Sequence, residues 1–288
     1  MIKLDLAHKN FVKNLEEQGR SKSTVIAYTK DIEQLTEHLF KKGINFVEDI
    51  ETAHLEEFMA KLASQSYTAK SISRKTNSTK TFFRFLKDNN QLDKNVAEQL
   101  RHPKVEIKAP RILSKLEYRA LRDAARVDVR TFAIIELLLQ TGIRISELAQ
   151  IKIADLAFKE PASLSIQKVD NHPARAIPLN NAAAEAIGDY LTIRPEMNRE
   201  HLFITKTGKP LLIRNIRATI DRFFKSAGIE SARVNDLRHT FVAHHLAQGT
   251  NLLTVSKIAG HKRVSTTERY LQYIEVNSKE EKTALGEL

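Results

Sequence analysis

The sequence predicts a mainly α protein with a small β-sheet (α+β), built as an N-terminal four-helix bundle followed by a C-terminal mixed domain. Three observations predict it. The chain has 288 residues, about twice the roughly 150 residues of an average domain. Apolar residues recur at steps of three and four through the first hundred positions. Strand-like runs are confined to the middle of the second half. A content of 42% hydrophobic and 28% charged residues is that of a folded chain and excludes wholesale disorder.

The first helix is read from Leu4, Phe11 and Leu15, with Gly19 as its stop. The second begins near Ser21 or Ser23 and carries Val25, Tyr28, Ile32, Leu35 and Leu39 up to Gly43. The third holds Leu55, Phe58, Met59 and Leu62 behind a Thr52 cap. The fourth starts near Thr68 and sets Ile72, Thr76, Thr79, Phe83 and Leu86 on one face. Its other face bears Lys70, Ser73, Arg74, Asn77, Lys80 and Arg84, cations for phosphates and amides for base edges. A solvated outer face of a bundle has the same composition.

Domain boundaries are expected at 1–102 and 112–288, joined by a linker, 103–111, with Pro103 and Pro110 and no periodicity. Ser114-Lys115-Leu116-Glu117 is a capping box, with Leu113 and Tyr118 as its hydrophobic staple. Helices are expected through Ala125, over Phe132–Leu139, and from Ser146 to about Ile153. Leu164, Ile166 and Ala176–Leu179 read as a hairpin around the polar turn Asp170–Pro173, and Leu202–Ile204 as a third strand. Helices then return from Asn180 to Ile193, from Ile213 to Ala227, and from Asn235 through His244 and His245. Ser278–Glu281 is a second capping box opening a tail helix with Leu285 and Leu288, too short to be stable without a docking surface.

Lysine and arginine number 46 against 35 aspartates and glutamates, a formal charge of +11. Such a charge favours a polyanion, nucleic acid or an anionic membrane surface, and does not choose between them. The absence of cysteine excludes disulfides, thiolate nucleophiles and Cys-ligated zinc, and suits the reducing cytoplasm. No run reaches the ~20 apolar residues of a membrane span, and Met1–Asp5 offers no secretory signal.

Four segments of the second domain could carry chemistry. In Thr141-Gly142-Ile143-Arg144-Ile145-Ser146-Glu147-Leu148, Arg144 sits in a turn between helices with Glu147 close enough to orient it. Lys168 ends the first hairpin strand. In Asn235-Asp236-Leu237-Arg238-His239-Thr240-Phe241, Arg238 is expected in a first helical turn, where an anion is favoured. In Gly260-His261…Tyr270, the histidine follows a glycine turn and the tyrosine lies nine residues on. Singly, each has an ordinary reading: a surface ion pair, a solvated lysine, a helix start, an aromatic at the edge of a core. His239, His244 and His245 are joined by no converging carboxylates or thiolates, so no metal site is expected. Together, two arginines, a lysine, a histidine and a tyrosine supply what transfer at a phosphodiester requires: cations for the non-bridging oxygens, a proton donor and a nucleophile.

The Thr-Gly-Ile-Arg-Ile-Ser-Glu-Leu, Leu-Arg-His-Thr-Phe and Gly-His…Thr-Thr…Tyr segments, in this order and spacing, resemble the tyrosine recombinase (phage integrase) family, most like its compact Xer-type site-specific recombinases. The resemblance covers essentially the whole chain, the helical half being similar to the family's core-binding domain. It implies that Arg144 and Arg238 clamp the scissile phosphate, that Lys168 protonates the departing 5′ oxygen, and that His261 hydrogen-bonds the phosphate. Tyr270 would attack phosphorus and become joined to the 3′ phosphate. It implies no cofactor, neither metal nor ATP, and no membrane partner. The implied partner is double-stranded DNA, clamped between the two domains in a homo-tetramer or a tetramer shared with a related recombinase. The implied tasks are dimer resolution or the integration and excision of mobile elements. The implied tail helix docks on a neighbouring protomer, with packing in cis on its own domain as the ordinary alternative.

Asn235 departs from the family, which usually has histidine there; an amide can donate to a phosphate but cannot transfer a proton. A slower or conditionally active enzyme is therefore expected, and a catalytically weakened DNA-binding protein on the same scaffold is the alternative. A relaxing topoisomerase of the related tyrosine type is a second.

Overall fold

The first apolar stripe closes as helix α1 (Leu4–Glu17), and the next three close as α2 (Lys22–Phe40), α3 (Thr52–Ser64) and α4 (Ala69–Asp88). The computed structural model describes residues 1–159, 161–168, 172–197 and 199–274, and the chain divides into two compact units, Met1–Lys108 and Ala109–Leu288. In the first unit Phe11, Leu35, Leu39, Leu55, Phe58, Phe82 and Phe83 form one core. Ser21 caps α2 through Thr24 N, and Thr68 caps α4 through Ser71 N.

Thr52 is not the cap of α3. It is the first helical residue, behind Glu51, and its hydroxyl donates instead to Val96 O at 2.8 Å, tying α3 to the chain that follows α4. On α4, Ile72, Thr76, Thr79, Phe83 and Leu86 are buried, while Lys70, Arg74, Asn77 and Arg84 are exposed. Two cations of the polar face are engaged. Arg74 pairs with the buried Asp31 of α2, and Lys80 Nζ donates to Glu98 O at 3.0 Å. Asp31 also accepts from Lys75 Nζ at 2.8 Å and Ser78 Oγ at 3.1 Å, so one carboxylate ties α2 to three side chains of α4.

The second unit begins with the Ser114 capping box: Glu117 N donates to Ser114 Oγ at 3.2 Å and Ser114 N to Glu117 Oε2 at 2.8 Å. α5 (Lys115–Ala125) and α6 (Val129–Thr141) follow. α6 is central, with Ala133, Ile135, Leu137 and Leu138 buried against α8 (Asn181–Ile193) and α10 (Val234–Ala247). The sheet is antiparallel in the order β1 (Leu156–Ala157), β2 (Ser163–Ile166), β3 (Arg175–Pro178). Leu164 stands opposite Ile177, both buried, and Ser165 opposite Ala176, both exposed. Asp170 and Asn171 of the hairpin turn, and the tail from Ser278, lie outside the described residues.

Two expectations fail here. The helix expected from Ser146 to Ile153 is the single turn α7 (Ile145–Leu148). The backbone beyond it pairs sideways, with Leu202 N donating to Ile151 O and Ile153 N to Glu200 O, both at 2.8 Å. Leu202–Ile204 is not a strand for the same reason: the segment makes only isolated bridges, Lys152 with His201 and Ile204 with Pro210. The third strand is Leu156–Ala157. α9 (Ile213–Ser226), α10 and α11 (Leu252–Ala259) complete the unit, and residues 265–274 are helical. Phe241, Val242, Val255, Ala259 and Tyr270 form a separate small core. Among the described residues no helix is long and apolar enough to cross a membrane.

Candidate active site

The C-terminal end of α11 organises the site. Gly260 caps it in the left-handed conformation at φ +69°, and the carbonyls of residues 258 to 260 carry the helix's partial negative charge. Three guanidinium groups converge on them. Arg238 Nη1 donates to Ala259 O at 2.6 Å and to Gly142 O at 2.5 Å. Arg144 Nη2 donates to Gly260 O at 2.8 Å and its Nη1 to Ala259 O at 3.4 Å. Arg175 Nε donates to Ile258 O at 2.7 Å and its Nη2 to Ala259 O at 3.4 Å.

Glu147 neutralises part of this charge. Its carboxylate takes a two-pronged contact from Arg175, 2.9 Å on each oxygen, and a bond from Arg144 Nη1 at 3.2 Å. Its Oε2 also accepts from Arg144 N at 2.8 Å, which holds the turn that presents Arg144. Burial opposes ionisation, but the bonds from Arg175 and the Arg144 amide, with both arginine charges, outweigh it and hold the carboxyl at about 2. Burial, and then the neighbouring Arg144, bring the Arg238 guanidinium down to about 10, so it is charged at neutral pH. Among the described residues its Nη2 is buried without a hydrogen-bond partner. A buried donor left unpaired is costly, and this one belongs to a cation.

Arg238 is not in a first helical turn, as expected. α10 starts at Val234, so the residue lies in the second turn and acts through its side chain rather than through free backbone amides. Asn235, Arg238 and His239 share one face of α10 by their spacing. His239 Nδ1 lies 2.5 Å from Tyr270 Oη, and Asn235 Nδ2 lies 2.7 Å from His239 Nε2. The His261 ring lies nearly parallel to Tyr270, centroids 6.4 Å apart, and its Nδ1 is 2.7 Å from the buried Thr267 hydroxyl. Burial, then the charges of Arg238 and Arg144, lower His261 to about 4, so the ring is neutral. Burial raises the Tyr270 phenol and the Arg238 charge opposes it. A cleft of about 1020 Å³ opens beside Asn235 and Arg238, with Arg217 and Lys225 on its wall.

Of the residues singled out from sequence, Arg144, Glu147, Arg238, His261 and Tyr270 come together, and Asn235 joins through His239. Lys168 does not join them: it is exposed just beyond β2, and among the described residues nothing ties it to the arginines. Sequence reasoning missed three residues. Arg175 shares its strand face with the buried Ile177, and an arginine on an inward-facing strand position was a readable signal. His239 was readable only as the neighbour of Arg238. His172, whose Nδ1 is buried and has no partner among the described residues, is kept low by burial and by Arg144 nearby; its place in a turn carried no signal.

Guanidinium groups closing on one spot beside a buried tyrosine and a neutral imidazole fit the tyrosine recombinase resemblance that the motifs carry. Comparison with known proteins agrees. Residues 110–275 match the phage integrase family, and residues 9–90 match the phage integrase N-terminal SAM-like domain. A tyrosine recombinase of Pseudothermotoga lettingae is 30% identical over 260 residues, 88% of this chain and 89% of that one. Tyrosine recombinase XerC of Staphylococcus carnosus is 31% identical over 258 residues, 87% and 86% of the two chains. A lambda integrase tetramer bound to a Holliday junction shares the fold, with a TM-score of 0.76 at 20% identity over 91% of this chain and 78% of that one. The chain belongs to the phage integrase family and is a tyrosine recombinase.

Proposed function

We propose that this recombinase cleaves and rejoins duplex DNA at specific sites through a 3′-phosphotyrosyl bond to Tyr270. The observation that carries the reading is the buried, unpartnered Arg238 Nη2, beside Arg144 on the same carbonyl of α11 and on the same side of α10 as the Tyr270 contact. Arg238 and Arg144 bind the two non-bridging oxygens. His261, its Nδ1 taken by Thr267, offers Nε2 to the phosphate. Tyr270 attacks phosphorus, and Lys168, just beyond β2, protonates the 5′ oxygen as it leaves. The bond energy is kept in the phosphotyrosine, so rejoining by a 5′ hydroxyl reverses the step without an energy source.

Lys70, Arg74, Asn77, Lys80 and Arg84 of α4 form the major-groove face, and the working unit is a tetramer on DNA. The known lambda integrase tetramer on a Holliday junction supports that assembly. The test is a duplex nicked near the cleavage point. The parent protein is expected to leave a covalent adduct that Tyr270→Phe does not, and to join strands of two different duplexes. Absence of an adduct leaves a DNA-binding protein; an adduct without joining between duplexes leaves a relaxing topoisomerase.

A further inference from the structure

Asn235 occupies the position where the family usually carries histidine, yet its amide is turned to a second histidine instead of standing free. Asn235 Nδ2, His239 and Tyr270 Oη form one hydrogen-bonded row, 2.7 Å and 2.5 Å at its two links. His239 is half-buried on α10, one position from the phosphate-binding Arg238. The first link decides the second. An amide nitrogen can only donate, so Nε2 must accept, and the single proton of a neutral ring sits on Nδ1. That N–H then points at the phenol oxygen.

We propose that His239 is the positioning residue of the Tyr270 nucleophile, and that Asn235 serves the reaction by fixing the His239 ring with its Nδ1–H directed at the phenol oxygen. The proposal rests on Tyr270 being the nucleophile. A donor aimed at the phenol oxygen favours the phenolate over the phenol, which offsets the burial that works against ionisation of Tyr270. Burial also keeps His239 neutral, with Asp236 opposing and Arg238 reinforcing that effect. The other groups facing the pair are His261, stacked on the Tyr270 ring, and through it Arg144 and Arg175. In this role His239 keeps its proton; the phenol proton passes to solvent water when the phenolate forms.

The experiment measures adduct formation on the nicked duplex as a function of pH, with DNA binding followed separately by gel shift. His239→Phe keeps the ring's bulk and removes the donor. It is expected to lose on the order of tenfold to a hundredfold in adduct rate at pH 7 and to move the rate's rise to higher pH, with binding unchanged. His239→Asn places an amide N–H near the Nδ1 position and is expected to restore much of the rate. Asn235→Asp leaves only acceptors for Nε2, which reverses the ring so that Nδ1 accepts from the phenol; the pH profile moves the same way. Nitrogen-15 NMR of the His239 ring reads the tautomer directly, Nδ1–H in the parent and Nε2–H in Asn235→Asp. An unshifted pH profile in His239→Phe, or an Nε2–H tautomer in the parent, overturns the proposal. Should His239→Phe fail to fold, the Asn235→Asp profile and the parent tautomer decide alone. An adduct that persists in Tyr270→Phe overturns the nucleophile assignment instead.

Discussion

Arg238 is almost wholly buried and spends one nitrogen on two backbone carbonyls while the other waits unpartnered. A lysine has one nitrogen and cannot do both. Arg238→Lys is therefore expected to lower adduct formation on the order of a hundredfold or more, with a much smaller loss of duplex binding in gel shift. His261 carries the clearest pH dependence. Unfolded, it takes up a proton near the ordinary 6.5, and folded only near 4. Between those values the unfolded chain binds more protons, so stability is full above about 6.5 and is lost as the pH falls toward 4. Thermal melts across that window are expected to show a shallower decline in Tm for His261→Gln than for the parent.

At the scale of elements, two junctions hold what the site and the bundle need. Gly142 ends α6 at φ +61°, and a Cβ there would come 2.2 Å from the Phe241 ring of α10. Gly142→Ala combines a left-handed backbone with an overpacked contact, and is expected to destabilise the second unit by roughly 2–4 kcal/mol in denaturant unfolding. Gly260 is tight in the same way, its missing Cβ lying 2.7 Å from the Arg175 guanidinium carbon. In the first unit, Asp31→Asn leaves Lys75 buried without its counter-charge. It is expected to cost about 3–5 kcal/mol, read by urea unfolding. Most of α4 was legible, because a helix facing core on one side and water on the other repeats its pattern every few residues. The Asp31 cluster was not legible, since Lys75 and Ser78 find their partner 44 and 47 residues away.

For the whole molecule, the +11 charge makes duplex affinity fall steeply with salt through counterion release. The α4 cations differ in what they have left to give. Lys70→Ala and Arg84→Ala are each expected to reduce the salt slope by about one. Arg74→Ala is expected to reduce it by less, because Asp31 already neutralises part of that charge. Titrating binding against salt for the three variants checks the ordering.

The sequence by itself determined the helical bundle, the small hairpin sheet and the family, and it singled out Arg144, Arg238, His261 and Tyr270, which the structure brings together. Those follow from periodicity, from caps such as Ser114, and from motifs whose residues are close along the chain. Only the tertiary structure decided that Arg175 reaches Glu147 from 28 residues away, and that His239 meets Tyr270 across 31. It also ended the helix after Leu148, through backbone pairing with residues near 200. The reason is physical: a side chain's local spacing states which face of its own element it occupies, while its partner is set by where the chain returns.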